Sequence, residues 1–440
     1  MKIFRYVVLI LLLFVPSSVF AGSINSVPCV GGIRLEFILF GLTLVGVAVF
    51  QKKTMQVALL GLFLIIGVKL LFVPDFSFVH HFLGDGQKTG EWHILLNLLG
   101  LLLGFAILAR HFEESKLPDI LPNYLPDDWK GGFVLLLLVM FLATFLDSIA
   151  SAMIGGAIAF IVFKGKVHVG YLACIVAASN AGGAGSVLGN TPTTMMWIDG
   201  VSPLGVTHAF IGSIAAFLIF GVAGSIQQDR FQRIQKDATS GVEVDWGRIS
   251  IVVLMLVLAI VFNWVIGFPA LGVWLGILIG ALYRKTAWSE LSKSIKGTIF
   301  LLALVTAASL MPVEDLPAAS WKTSFLLGLV SAVFDNIPLT KLCLDQGGYD
   351  WGLLAYAIGF GGSLIWFGSS AGVALSNMYP EAKSVVTYVK KSWHVTLAYV
   401  VGFFIMLEVA GWHPQNIQEK NEIGQKTQVE QKNQINSLKR

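Results

Sequence analysis

Long apolar runs alternate with short polar breaks along most of this 440-residue chain. A helix needs about 20 apolar residues to cross the hydrocarbon of a bilayer. On that measure spans are predicted over 35–50, 55–73, 92–109, 168–198, 204–226, 249–266, 268–283, 297–311, 351–377 and 392–410. Two more apolar stretches, 132–163 and 322–344, carry an acid near the middle, Asp147 and Asp335, beside small or polar residues. Each is either one span with a costly buried acid or a helical hairpin that dips to mid-membrane and returns.

Charge favours the hairpins. With both acid segments re-entrant and the mature N-terminus outside, the inside loops collect Lys52, Lys53, Arg110, Lys130, Lys166, Arg230, Arg248, Arg284, Lys293 and Lys391. The short outside loops hold only Arg34, Lys88 and Lys322, together with acids that include Glu91, Asp315, Asp345 and Asp350. That is the positive-inside bias. Residues 35–226 then form a first transporter repeat, 227–248 a cytoplasmic linker and 249–410 a second repeat inverted with respect to the first. Residues 411–440 are a polar C-terminal tail, placed outside. The fold class is all-α polytopic: about ten transmembrane helices, two re-entrant hairpins and two broken helices.

The first 21 residues stand apart. Lys2 and Arg5 precede an apolar run from Tyr6 to Phe14, and Val19 and Ala21 occupy the small-residue positions before a cleavage site, the pattern of a signal peptide. The alternative is an extra N-terminal helix.

Composition narrows the class. The chain is 55% apolar and 13% charged, against about 25% charged for soluble domains; nucleic-acid binders and disordered scaffolds are excluded. The three Cys have neither metal-ligand nor CxxC spacing, and no nucleotide-binding loop is present. The expectation is therefore a non-enzyme of the cell (inner) membrane, multi-pass, without cofactor, and driven by Na+ or H+.

The polar clusters carry the chemistry. Asp147 is followed by the Gly-rich segment Asn180 to Asn190, and Asp335 by Gly359 to Ser369. Glycines at 182, 183, 185 and 189, with Pro192 after them, cannot sustain a helix well, and 359, 361, 362 and 368 repeat the pattern. Unwound backbone in a bilayer survives only where it lines protein or a wet cavity. An acid in a short hairpin followed by a Gly-rich break, twice, is a pointer to an inverted-repeat transporter with a midplane site. The candidate ion-binding residues of the first half are Asp147, Ser148, Ser151, Asn180, Gly182, Gly183, Ser186, Asn190, Thr191, Thr193 and Thr194. Those of the second are Asp335, Asn336, Thr340, Gly361, Gly362, Ser363, Ser369 and Ser370, with Asn377 nearby. Na+ is assigned to Asp147, Asn180, Asp335 and Asn336, because hard oxygen ligands suit a small cation. Lys341 pairs with Asp335 or attracts an anion, Lys69 snorkels to the outer interface, and His80, His81, His93 and His111 are interfacial. The Trp residues read as belt anchors, with Trp366 in the second broken segment.

Three segments, Ser179 to Trp197, Phe334 to Pro338 and Gly361 to Gly372, resemble the ion transporter superfamily, which includes citrate transporters, arsenite permeases and NhaD-type sodium/proton antiporters. The resemblance runs in order from about residue 92 to 410. It implies hairpins facing unwound helices, a transport unit moving against a scaffold, and a homodimer. The local match is nearest to the NhaD type, with two departures: Asn190 stands where that type usually carries Asp, and Ser148 to Ala152 replaces a Thr-rich tip. Asn cannot exchange a proton, so antiport would rest on Asp147 and Asp335. The missing acid and Lys341 put a small carboxylate such as citrate, moved with Na+ or H+, first among cargoes, and Na+/H+ antiport second. An intramembrane aspartyl protease built on the two acids is a remote alternative, and a passive channel a further one.

Overall fold

The computed structural model describes residues 28–50, 53–74, 76–84, 90–235 and 243–415. The expected signal peptide and most of the polar tail lie outside them. Apart from a two-residue antiparallel pair, Cys29–Val30 with Ile33–Arg34, the described chain is helical.

Three helices come first: α1 (Leu35–Val49), α2 (Thr54–Phe72) and α3 (Trp92–Glu114). The first acid segment is a pair, α4 (Trp129–Leu142) and α5 (Ser148–Val162), joined at Asp147. Next come α6 (Val169–Ala184), an unwound stretch, α7 (Thr191–Ile198) and the long α8 (Ala209–Phe231). The same order then recurs. Three helices, α9 (Trp246–Ile266), α10 (Pro269–Tyr283) and α11 (Ser289–Ser309), precede a pair, α12 (Trp321–Ser331) and α13 (Asn336–Gln346), joined at Asp335. A second interrupted helix follows, α14 (Trp351–Gly361) and α15 (Ser370–Met378), and α16 (Trp393–Ala410) closes the series. Six helices among the described residues are long and apolar enough to span a membrane, and six shorter apolar ones accompany them. The chain is an all-α polytopic membrane protein.

Local chemistry sets the joints. Gly267, left-handed at φ +67°, ends α9, and Pro269 opens α10 where its missing N–H costs nothing. Gly272, Gly276 and Gly280 of α10 lie on Leu258, Met255 and Ile251 of α9. Positions that rise on one helix as they fall on the other define an antiparallel pair, and the four-residue Gly spacing lets the backbones close up. The α4–α5 pair folds back the same way, since Gly155 packs on Val139, each eight residues from Asp147. Gln346 at the end of α13 donates to Pro317 O just ahead of α12 at 2.8 Å, so the second pair also returns to its starting end. Both acid segments are hairpins, not single spans.

Two packing bodies result. Helices α1, α2, α3, α9, α10 and α11 pack mainly on one another, and the hairpins, interrupted helices, α8 and α16 form the other body. At the centre of the second sit α6 and α14. Every residue of α14 is buried, as is every residue of α6 from Gly170 onward. Both bodies expose large apolar side chains outward, Trp264 (88%) and Phe63 (66%) on the first, Phe141 (61%) and Val409 (67%) on the second. Trp197 and Trp351 contradict the belt expectation, being core residues; Trp366, set apart in the second broken segment, is buried as well.

At the end of the first body that holds the inter-repeat segment, Asp245 caps α9 and takes Arg284 at 3.0 and 3.3 Å. The Arg284 hydrogen bond, with backbone N–H groups of Gly247 and Arg248, holds this exposed carboxyl below its usual 3.8. A depressed carboxyl stabilises the fold above its unfolded value and ceases to do so as pH falls through the folded one. Asp245→Asn is therefore expected to lower the melting temperature slightly at pH 7, and by progressively less as pH falls below 3.8, as differential scanning fluorimetry would read. The effect is small because the pair is open to solvent.

Candidate ion-binding site

The two hairpin tips are built alike. Asp147 caps α5 at φ −53°, ψ 145°, and its carboxylate accepts from Ile149 N at 3.1 Å. Asp335 caps α13 at φ −53°, ψ 136°, accepting from Ile337 N at 3.0 Å. Each carboxylate thus faces the positive end of a helix dipole. Each also lines a cavity, of about 530 Å³ at Asp147 and about 510 Å³ at Asp335. The two share Ile149, Lys293, Gly297, Phe300 and Ser370 in their walls, so they form one cleft between the two bodies.

The cleft is one-ended. Helix α3 contributes residues from Leu102 to Glu113 and α11 residues from Glu290 to Leu301, which are the C-terminal part of α3 and the N-terminal part of α11. The opposite ends of both helices line neither cavity. Its charge is acidic: Asp147, Asp335, Glu113 and Glu290 against Arg110 and Lys293. Both bases are already paired, Arg110 with Glu113 and Glu114 at 3.1 and 2.8 Å, Lys293 with Glu290 at 2.6 Å.

Behind the tips the two interrupted helices meet. Both restart from extended residues, Asn190 (φ −150°, ψ 142°) and Ser369 (φ −141°, ψ 154°). The glycines do what the sequence asks of them, letting backbone touch backbone. A side chain at Gly182 would strike Met140 O of the first hairpin, and one at Gly361 would strike Gly328 O of the second. Gly183 closes on Gly189 and Asn190, Gly362 on Gly368 and Ser369. Asn180 ties the halves together: its Nδ2 donates to Ser363 Oγ at 2.9 Å and Ser369 Oγ at 3.1 Å. Asn180 Oδ1 and Asn190 Nδ2 are buried without a partner.

The hydroxyls divide by role. Ser151 and Thr340 donate to their own helices, at Asp147 O (3.1 Å) and Asn336 O (2.9 Å), the ordinary use of such residues. Ser186 donates to Thr144 O, stitching the first break to the first hairpin. Thr194 donates to Val187 O and Asn190 O, at 2.8 and 2.9 Å. Thr193 Oγ1 lies within reach of three carbonyls, Gly183 O (3.3 Å), Ser186 O (2.6 Å) and Asn190 O (2.9 Å). One hydroxyl proton serves one acceptor well, and each of these carbonyls also accepts a backbone N–H, from Ser186, Gly189 and Thr194 respectively. Ser148 and Asn336 are buried beside their acids, Thr191 opens α7 half-buried, and Ser370 lies on the shared wall. Asn377 lines the second cavity and accepts from Lys383 at 2.9 Å.

Several expectations are corrected. Lys341 neither pairs with Asp335 nor offers a free charge to an anion; one and a half turns along α13, its ammonium lies 2.6 Å from Asp345 and 3.0 Å from Glu91. Lys69 does not simply snorkel: it lies 3.8 Å from Glu36, a buried acid that Arg34 holds at 3.0 Å. His111 is buried, and its Nδ1 accepts from the Arg248 guanidinium at 3.2 Å. The sequence reading missed Glu36 and Glu91 as buried partners. Local spacing offered only the Arg34–Glu36 and Lys341–Asp345 pairs as hints.

A one-ended acidic cleft between two helical bodies, with matched hairpins and interrupted helices, defines an ion-coupled membrane transporter. No protein-family model matches the chain. It is similar to the Na(+)/H(+) antiporter NhaD of Vibrio cholerae serotype O1, 28% identical over 386 residues that cover 72% of this chain and 79% of that protein. It is also similar to sodium/proton antiporter 1 of Arabidopsis thaliana, 26% identical over 367 residues, covering 73% and 62% of the two chains. With NhaD of Alkalimonas amylolytica it shares 26% identity over 360 residues, covering 66% and 73%. Over about two thirds or more of its length the chain is thus similar to NhaD-type sodium/proton antiporters.

Proposed function

We propose that this chain exchanges Na+ for H+ across the membrane. The observation that carries the reading is the pair of hairpin-tip carboxylates, Asp147 and Asp335, on one acidic cleft where the bases among the described lining residues, Arg110 and Lys293, are already paired. A carboxylate is a ligand for Na+ when ionised and a proton carrier when protonated. One group cannot do both at once, and that competition is what obligatory exchange requires. The similarity to proteins named Na(+)/H(+) antiporter supports the same reading. The carboxylate cargo put first on sequence grounds loses its main support with Lys341 neutralised by Glu91 and Asp345.

Asn180 Oδ1, without a partner, is the proposed neutral ligand, completing a site that the two acids charge. The body containing α6 and α14 carries the ion while the body containing α3 and α11 stays in place. An inverted repeat over 35–226 and 249–410, a homodimeric assembly and both mature termini outside belong to the same proposal.

The test uses purified protein in liposomes with a pH-sensitive dye inside and Na+ added outside. Exchange is expected to alkalinise the lumen as Na+ enters, with or without citrate. Uphill citrate uptake without a Na+-linked pH change would replace the proposal with the carboxylate reading. Sodium flux that merely follows its gradient, with no proton moved against its own, would make the chain a channel.

A further inference from the structure

The closed end of the cleft holds a charge cluster that the exchange chemistry does not use. Lys341, 2% exposed, lies 2.6 Å from Asp345 and 3.0 Å from the Glu91 carboxylate. Beside the cluster, His81 meets Ser309, the last residue of α11, at 3.0 Å. Glu91 stands ahead of α3, 14 residues from Phe105 in the cavity wall, or about 20 Å along the axis at 1.5 Å per residue. The cluster therefore lies at the end of α3 opposite the one that lines the cleft.

Its two strong pairs differ in what they join. Asp345 lies on the same helix as Lys341, so that pair travels with the hairpin. Glu91 belongs to α3 in the other body, and its bond to Lys341 must break if the bodies slide. Lys341 cannot follow Glu91 without leaving Asp345. A buried pair is worth most as a discriminator between arrangements, because either partner left alone is a desolvated charge. Asp345 removes that penalty for Lys341 alone, keeping the lysine paired in both positions.

We propose that the Lys341–Glu91 pair is the latch of the second gate. It holds the cleft open only on the Arg110–Lys293 side, and its rupture admits the opposite side. The inference rests on the transport reading above, since it supposes that the two bodies move.

Sidedness of labelling tests it without any activity. In a Cys29→Ser background, with Cys174 and Cys343 buried, Ile149→Cys puts a thiol on both cavity walls. An impermeant maleimide is applied to right-side-out and inside-out vesicles. With the latch intact, labelling is expected from the Lys293 side alone. Glu91→Gln should raise labelling from the Glu91 side at least about tenfold, the size of response a shifted two-state equilibrium gives. Asp345→Asn, which leaves the Glu91 pair in place, should not. Equal responses from both variants, or none from Glu91→Gln, would overturn the latch.

A second variant guards against a folding artefact. Glu91→Cys with Asp345→Cys, bridged by a short bis-maleimide, should stop exchange in protein that elutes as a single species. Continued exchange after bridging would overturn the latch as well. The two readings fail separately: labelling that shifts in a protein moving no protons keeps the latch and sinks antiport. Exchange with labelling that ignores Glu91 does the converse.

Discussion

Liposomes carrying Asp335→Asn are expected to show no Na+-dependent pH change, although the protein folds and inserts normally. The two halves of that expectation come from one geometry. Asp335 is both the cap of α13 and a wall of the cleft. Asn is as good a helix cap as Asp, so the bond from Ile337 N survives and the hairpin tip keeps its shape. What disappears is the charge and the exchangeable proton. Removing one charged partner from a desolvated ion site costs roughly 3 kcal/mol or more, about a hundredfold in occupancy. With no proton left to exchange at that tip, coupling goes as well. Asp147→Asn should behave the same way, because the Asp147 cap on Ile149 N is its counterpart, and the double variant should be no worse than either single one. Exchange is read from the dye, and folding from elution profile and melting temperature. An Asp335→Asn protein that exchanges within threefold of the parent would take that acid out of the mechanism.

The symmetry of these two tips was legible in the sequence because membrane physics leaves few alternatives. An acid inside an apolar stretch must be capped, paired or wet, and a Gly-rich run in a bilayer must be packed against other backbone. Asp147 and Asp335, with the glycine runs after them, therefore announced the hairpins and interruptions that α4, α5, α12 and α13 and the breaks before Thr191 and Ser370 display. Long-range pairing was not legible. Asn180 reaches Ser363 and Ser369 across more than 180 positions, and Lys341 reaches Glu91 across 250. No spacing rule covers such partners, and one ground for ranking a carboxylate cargo first came from there: Lys341 read alone is a free cation, while Lys341 beside Glu91 and Asp345 is a neutralised one. Hydroxyls were over-assigned for a different reason. Ser151 and Thr340 look like ligands in a list of polar residues, yet each sits four residues after a carbonyl of its own helix and bonds to it.

Glycine substitutions separate the packing role of these breaks from helix propensity. A methyl group at Gly182 would drive into Met140 O, and one at Gly361 into Gly328 O. Both obstacles are backbone oxygens of a hairpin, which cannot rotate aside as a side chain would. Overpacking against yielding neighbours already costs about 1–3 kcal/mol, and here the collision moves the acid-bearing hairpin itself. Gly182→Ala and Gly361→Ala are therefore expected to lose most folded protein, and the fraction that folds should show weakened exchange. Gly41 in α1 and Gly67 in α2 are the controls, since a methyl at either meets nothing within 4 Å. There Ala should match or raise the melting temperature, because Gly in a helix is worse than Ala by about 1 kcal/mol. All four changes add the same methyl group to a helical glycine, so propensity predicts the same sign for each. A melting series in which Gly182→Ala and Gly361→Ala track Gly41→Ala would show that the hairpins do not lean on these glycines. A split between the pairs would locate the constraint in the contact of broken helix with hairpin, the seam on which the positions of Asp147 and Asp335 depend.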